Sequence, residues 1–204
     1  MMKKYGNMFL LAVGAGIAIA VGGTVYLSVE NKVIGALLFT VGLYAIVLNG
    51  LFLYTGKIGY LPAAENKVDY AGLLAATWLG NLVGTGLGAL AVRMSRINGI
   101  SEQAQNICKV KLADQPFSIF LLACFCGLLM YVAVDGFKEK GNPLILFLCV
   151  STFILCGFEH CIANMFYFSL AGAWSVKAVG YLLIMTAGNS VGGMLLPLVK
   201  KTCN

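Results

Sequence analysis

The stretch GFEHCIANMF (Gly157–Phe166) lies between long apolar runs and decides how the rest of the chain is interpreted. It contains His160, the only histidine among 204 residues, directly after Glu159. An ionisable pair at membrane depth is costly and usually belongs to a pathway for ions or protons. The sequence therefore makes His160 a candidate pore residue. The alternative, a hydrogen bond between helices with no pore role, stays open.

The composition is that of a membrane protein. The chain is 60% hydrophobic and 11% charged, whereas a soluble domain is nearer half apolar and a quarter charged. The net charge of +6 is scattered, and no basic run suggests nucleic acid. Seven cysteines occur without paired CxxC motifs, so we expect neither a metal nor a cofactor. We predict one polytopic membrane domain over residues 1–204.

Six apolar segments are long enough to cross a bilayer, which requires about 20 residues. They are 7–29, 34–61, 69–93, 116–136, 142–171 and 176–199. We expect the first to be a retained helix and not a cleaved signal peptide, because the apolar run is long. The longest connection, residues 93–115, is taken as a loop.

An even number of spans puts both termini on the same side of the membrane. Two lysines stand at each end: Lys3, Lys4, Lys200 and Lys201. Positively charged loops favour the cytoplasm, so the sequence predicts that both termini are cytoplasmic.

Two copies of the pattern GN-x-VG indicate an internal repeat. They are GNLVG (Gly80–Gly84) and GNSVG (Gly188–Gly192), three spans apart, so the two halves would face opposite ways. The spans before these copies are interrupted by polar residues and glycines, at 49–57 and at 157–164. A broken helix exposes backbone groups that lipid cannot satisfy, so each break should face protein or a watery cavity.

Three motifs resemble those of the formate/nitrite transporter family. GFEHCIANMF resembles the family signature, TWLGNLVG (Thr77–Gly84) the third-helix motif, and LFLYTG (Leu51–Gly56) the L-F-T-G element of a broken second helix. The resemblance implies an all-α, aquaporin-like fold of six transmembrane helices in two inverted three-helix repeats, with helices 2 and 5 broken. It also implies a homopentamer in the bacterial inner membrane, with a pore in each protomer for small monovalent weak-acid anions such as formate, nitrite or hydrosulfide.

The resemblance also assigns residue roles. His160 would be the central pore histidine and Thr55 the residue that faces it, although capping of a half-helix is an alternative for Thr55. Lys111 would lie in a vestibule. Apolar constrictions are expected at Phe39, Leu43, Tyr54 and Phe153. Structural positions at the broken helices are expected at Glu159, Asn164 and Gly127.

Two of these positions carry more specific expectations. We expect Glu159 to hydrogen-bond the exposed backbone of the broken helix instead of lining the same wall as His160, because helical neighbours point in different directions. Gly127 stands where the family often has an asparagine. Its missing side chain is expected to widen the chamber, which leaves room for hydrosulfide in place of formate.

A mechanism follows from these assignments. Lysines at the mouths, Lys111 with Lys109 or Lys57, would raise the local concentration of anions. Between the apolar rings, His160 would donate either a hydrogen bond or a proton, and the sequence leaves this choice open.

Two other classes of protein are weighed against this one. An aquaporin-type pore for neutral solutes would require Asn-Pro-Ala in each half, and the sequence has none. A membrane thiol oxidoreductase would use Cys156 and Cys161, but four residues between them is poor spacing for a redox pair. We therefore expect a transport protein and not an enzyme.

Overall fold

The computed structural model describes the backbone of residues 2–203 and the side chains of residues 5–203. The side chains of Lys3 and Lys4, on which the predicted orientation partly depends, lie outside the described residues.

Residues 2–203 form nine α-helices and one short 3₁₀ helix, Ile58–Ala63, which follows α3. The α-helices are α1 (Met2–Ser28), α2 (Lys32–Leu48), α3 (Tyr54–Lys57), α4 (Lys67–Arg93), α5 (Ile100–Ala113), α6 (Pro116–Lys140), α7 (Leu144–Leu155), α8 (Cys161–Ala171) and α9 (Val176–Cys203).

Four helices in the described part of the chain are long and apolar enough to cross a membrane: α1, α4, α6 and α9. They pack in pairs, α1 along α4 and α6 along α9. The glycines of the GN-x-VG patterns allow this close approach. A Cβ added at Gly84 would collide with the carbonyl oxygen of Val13 on α1, and one at Gly192 with that of Cys124 on α6.

The other two apolar segments are broken, at the places that the sequence predicts. The first stops after α2 and resumes as α3, and the second stops after α7 and resumes as α8. The chain turns at Gly50 and Gly157, whose φ angles of 61° and 68° lie in the left-handed region. Glycine has no Cβ and adopts this conformation without strain.

The expectation of a loop over residues 93–115 is wrong, because α5 occupies most of it. Ile100, Ala104 and Cys108 are buried and stand four residues apart, so they form one apolar face against α8. The helix is otherwise polar, and this narrow amphipathic stripe is the signal that hydropathy alone does not show.

Candidate functional site

An asparagine holds each break in place. In the first half, the Asn81 side chain donates from Nδ2 to the carbonyl oxygens of Ala12 (2.8 Å) and Phe52 (2.9 Å). Its Oδ1 accepts from the backbone N–H of Tyr54 at 2.9 Å. One buried amide therefore pairs two backbone groups of the break and ties them to α1, which satisfies groups that lipid could not.

Asn189 makes the same three kinds of bond in the second half. Its Nδ2 donates to the carbonyl oxygens of Ala123 (2.8 Å) and Glu159 (2.7 Å), and its Oδ1 accepts from the backbone N–H of Cys161 at 2.9 Å. The backbone contacts of the breaks agree as well: Phe52 N–H donates to Leu11 at 3.4 Å, and Glu159 N–H to Leu122 at 3.3 Å. Residues 50–57 thus correspond to residues 157–164.

Two cavities flank the breaks. The first cavity has a volume of about 350 Å³. It is lined by Lys111 of α5, by Phe39 of α2, and by residues of α7, the second break and α8, among them Phe153, Glu159 and His160. The second cavity, of about 100 Å³, is lined by residues from α2 to α3 and by the end of α6. Corresponding positions line both: 46 and 153, 47 and 154, 50 and 157, 51 and 158, 53 and 160, 56 and 163, and 57 and 164. The two cavities therefore occupy the same place in the two halves.

His160 lines the first cavity and is held from two sides. The ring is 2% exposed, and its Nε2 lies 2.8 Å from Thr55 Oγ1. Its Nδ1 accepts from the backbone N–H of Ala163 at 3.1 Å, in the first turn of α8. An Nδ1 that accepts a hydrogen bond carries no proton, so the ring is neutral, and Nε2–H donates to Thr55.

Apolar rings cover this pair. Phe153 stacks on His160 with ring centroids 5.6 Å apart, and Phe39 meets Phe153 edge-on at 6.2 Å. Leu43 is buried one helical turn beyond Phe39 on α2, before the part of α2 that lines the second cavity. The structure thus brings His160, Thr55, Phe39 and Phe153 together, with Leu43 between the two cavities.

Lys111, Glu159 and Asn164 form a polar cluster at the first cavity. Lys111 Nζ lies 2.5 Å from Glu159 Oε2, and the Glu159 side chain is 4% exposed. Asn164 Nδ2 donates to the same oxygen at 2.8 Å and to the carbonyl of His160 at 3.0 Å. The expectation for Glu159 is therefore wrong. Its carboxylate pairs with Lys111 and Asn164, and Glu159 lines the same cavity as His160.

Tyr54 and Gly127 also lie elsewhere than expected. The hydroxyl of Tyr54 bonds Ser190 Oγ at 2.9 Å, and its ring lines a groove between α4 and α9, not either cavity. The preceding residue, Leu53, lines the second cavity instead, at the place that corresponds to His160. A Cβ on Gly127 would collide with the carbonyl oxygen of Asn189, so this glycine packs α6 on α9 and does not widen a chamber.

A buried polar pair beside an internal cavity, inside a bundle of apolar helices, is typical of membrane channels and transporters for small solutes. The sequence pattern described as formate/nitrite transporter matches residues 1–201. The chain belongs to this family.

Individual relatives agree with this assignment. The chain is 28% identical to the nitrite transporter NirC of Salmonella typhimurium over 203 residues, which cover 90% of this chain and 75% of NirC. It is 28% identical to the formate channel FocA of Escherichia coli over 182 residues, which cover 78% of this chain and 64% of FocA. A solved pentameric formate channel with formate bound superposes with a TM-score of 0.86 at 26% identity, covering 98% of this chain and 97% of the other.

Proposed function

We propose that this protein conducts small monovalent weak-acid anions of the formate and nitrite class through a route that joins the two cavities. The observation that carries the proposal is the Thr55–His160 pair at 2.8 Å, which is buried where the two breaks meet. The relatives, a nitrite transporter and a formate channel, support the same substrate class.

The neutral ring decides what His160 offers to an anion. With Nδ1 engaged by Ala163 N–H, the proton on Nε2 is the one that the ring carries, and losing it would leave a buried imidazolate. We infer that His160 donates its one hydrogen bond to Thr55 and does not release a proton. The Thr55 hydroxyl accepts from Nε2–H and keeps its own O–H to donate to an oxygen of the passing anion. This donor offsets part of the cost of stripping water from the anion.

Apolar side chains on both sides of the Thr55–His160 pair exclude water from it. Phe39, Phe153 and Leu43 stand on α2 and α7, and Leu53 stands at the second cavity. An ion in such a passage sheds most of its hydration before it reaches the Thr55 hydroxyl. A monovalent anion pays a much smaller desolvation cost in such a passage than a multiply charged ion.

We further propose a single domain that crosses the bacterial inner membrane six times, as two inverted three-helix repeats. The broken pairs α2–α3 and α7–α8 then count as the second and fifth crossings. The corresponding asparagine bonds of Asn81 and Asn189 support the repeat. Lys200 lies 3.6 Å from Asp135, at the end of α6 beside the second cavity. With cytoplasmic termini, the second cavity faces the cytoplasm.

The assembly that this proposal implies is a homopentamer, because the solved formate channel on which the chain superposes is pentameric. Exposed large apolar side chains along α4 and α9, such as Leu79, Leu87, Leu183 and Leu195, leave ample surface for lipid and for neighbouring protomers.

The experiment is uptake into proteoliposomes of formate, nitrite, hydrosulfide, chloride and glycerol. We expect formate and nitrite to enter faster than chloride, and glycerol to be excluded. Thr55→Val removes the hydroxyl and keeps the volume, whereas Thr55→Ser keeps the hydroxyl. Loss of a hydrogen bond worth about 1.4 kcal/mol in the transition state slows a step about tenfold, so Thr55→Val should slow anion uptake by about that factor. Equal uptake of all five solutes, unchanged in Thr55→Val, would refute the proposal.

A further inference from the structure

The groove between α4 and α9 belongs to neither cavity of the proposed route. It has a volume of about 640 Å³ and a mostly apolar lining. Leu79 and Leu183 are exposed along its sides, whereas Leu74 is buried, so the groove opens on the outer surface of the helix bundle. An apolar groove on the surface of a membrane-spanning bundle has to be covered by lipid or by protein.

The polar groups in the lining are already hydrogen-bonded. The Tyr54 hydroxyl donates to Ser190 Oγ at 2.9 Å, because the Ser190 hydroxyl itself donates to the carbonyl oxygen of Thr186 at 2.6 Å. Trp78 Nε1 donates to Thr186 Oγ1 at 3.1 Å, and the Thr186 hydroxyl donates to the carbonyl oxygen of Leu182 at 2.8 Å. Each of these donors is occupied, so the groove offers an occupant van der Waals contact, which suits a hydrocarbon chain.

The groove faces of α4 and α9 each lead to a lysine. On α4, the lining positions 71, 75 and 78 share a face with Lys67, and on α9, the lining positions 186, 190 and 194 share a face with Lys201. Lys201 Nζ donates to the carbonyl oxygen of Pro62 at 3.4 Å, next to Leu61 of the groove lining. Both lysines are exposed, so two cations stand at the same end of the groove.

Neither lysine forms an ion pair with the side chains that the structure describes. Asp69 lies two residues after Lys67, on another side of α4, and its Oδ2 accepts from Asn66 Nδ2 at 3.1 Å. Asp135 pairs with Lys200, and Glu65 is exposed in the connection before α4. The charges of Lys67 and Lys201 therefore remain available to an anionic group.

The length of the groove fits one leaflet of a bilayer. Trp78 is eleven residues from Lys67 along α4, and Ser190 is eleven residues from Lys201 along α9. At 1.5 Å per residue, each stretch is about 16 Å long. Half of a hydrocarbon core of about 30 Å is about 15 Å. In a bilayer the groove would therefore extend from headgroup level to the centre of the membrane.

We propose that this groove binds one phospholipid with an anionic headgroup. Its acyl chain lies between α4 and α9 against Trp78, and its phosphate is bound by Lys67 and Lys201. Basic side chains at the end of a groove between membrane helices favour anionic lipids. With cytoplasmic termini, as proposed above, the lipid belongs to the cytoplasmic leaflet. The site does not depend on which solute the protein conducts.

Trp78 reports on the groove directly, because bromine on an acyl chain quenches tryptophan fluorescence on contact. Trp174→Phe leaves Trp78 as the only tryptophan of the full-length chain. This variant is placed in phosphatidylcholine vesicles that contain increasing amounts of brominated phosphatidylglycerol or of brominated phosphatidylcholine. We expect phosphatidylglycerol to quench Trp78 at a lower mole fraction than phosphatidylcholine.

The lysines are tested in the same background. Lys67→Gln and Lys201→Gln should each weaken the preference for phosphatidylglycerol about fivefold, which is the usual effect of one basic residue near an anionic lipid. Lys67→Arg keeps the charge and should retain the preference. The matched control is Lys140→Gln, which removes an exposed lysine at the end of α6 that does not line the groove.

A further variant fills the groove. Ala75 is an exposed lining residue of α4, so Ala75→Phe should leave the fold intact and protect Trp78 from the brominated lipid. Equal quenching by the two lipids, or an equal loss of preference in Lys140→Gln, would overturn the proposal. If neither lipid quenched Trp78, a neighbouring protomer would cover the groove, and the lipid site would be refuted as well.

Discussion

One backbone N–H settles the state of the central histidine. Ala163 donates to Nδ1 of His160, and this bond exists only while Nδ1 carries no proton. The sequence shows a histidine near a helix start, but it does not show that the ring itself caps that helix. We therefore expect His160 to act as a hydrogen-bond donor and not as a proton donor, a choice that the sequence leaves open.

The ion pair at the first cavity leads to a stability prediction. Lys111→Met should lower the free energy of unfolding by about 3 kcal/mol, because it leaves the buried Glu159 carboxylate without its cation. Adding Glu159→Gln should restore most of the loss, since the uncompensated charge is then gone. Thermal unfolding in detergent measures both variants.

Lys109→Met is the control for that prediction. Lys109 is exposed on the same helix, so its replacement should change stability by less than about 0.5 kcal/mol. A double variant that is as unstable as Lys111→Met alone would show that the pair does not act through charge.

Local sequence motifs predict some site residues better than others. Thr55 and Phe153 contact His160, and Phe39 contacts Phe153, while their part in a pore stays a prediction. The prediction for Tyr54 is wrong because the backbone is extended at this point of the break. Successive side chains of an extended backbone point to opposite sides. Leu53 therefore takes the place at the cavity, and the alternation along residues 51–54 is the signal that could have identified it.

At the scale of elements, the breaks depend on two asparagines. Asn189→Ala should lower the free energy of unfolding by several kcal/mol, because it leaves up to three buried backbone groups unpaired at about 1–3 kcal/mol each. Asn81→Ala should cost about as much, because its bonds are equivalent.

The exposed loop residue Asn98 supplies the control, and Asn98→Ala should be close to neutral. Chemical or thermal unfolding compares the three variants. A severe effect from only one of Asn81→Ala and Asn189→Ala would contradict the structural equivalence of the two breaks.

Close packing of the long helices gives a second prediction at this scale. Gly192→Ala should destabilise the protein by about 1–3 kcal/mol, since the new methyl group would collide with a carbonyl oxygen of α6 that cannot move aside easily. Gly180→Ala on the same helix meets nothing within 4 Å and should be neutral. The measurement is the melting temperature of each variant. Equal melting temperatures for Gly192→Ala and Gly180→Ala would refute the close packing of Gly192 on α6.

Hydropathy and glycine patterns predict most elements, because spans and breaks each leave a strong local signal. The apolar segments before residue 93 and after residue 116 match the observed helices and breaks closely. Helix α5 is missed because only every fourth residue is buried, and its packing partner, α8, lies far along the sequence. Lys111 therefore reaches the first cavity through a contact that no sequence window contains.

For the whole molecule, the correspondence between its halves is the main result. Residues 107 positions apart line the two cavities, as Gly50 and Gly157 illustrate, so one architecture is used twice. The two halves differ in the side chains that stand at corresponding positions of the two breaks. Leu53 stands in one half and His160 in the other, with Phe52 and Glu159 beside them. The two cavities are therefore equivalent in position and different in chemistry.

The central claim, that anions pass from one cavity to the other, is tested by blocking each cavity in turn. Val47→Cys and Ile154→Cys place a thiol at corresponding positions of the second and first cavities, in a background that carries Cys156→Ser and Cys203→Ser. Leu148→Cys, on an exposed position of α7, is the control. A negatively charged, membrane-impermeant methanethiosulfonate is applied to proteoliposomes from each side, and formate flux is measured.

We predict that modification abolishes flux in Val47→Cys from one side and in Ile154→Cys from the other, and leaves Leu148→Cys unaffected. Full modification of both cavity positions, verified by mass spectrometry, with formate flux unchanged would contradict the account.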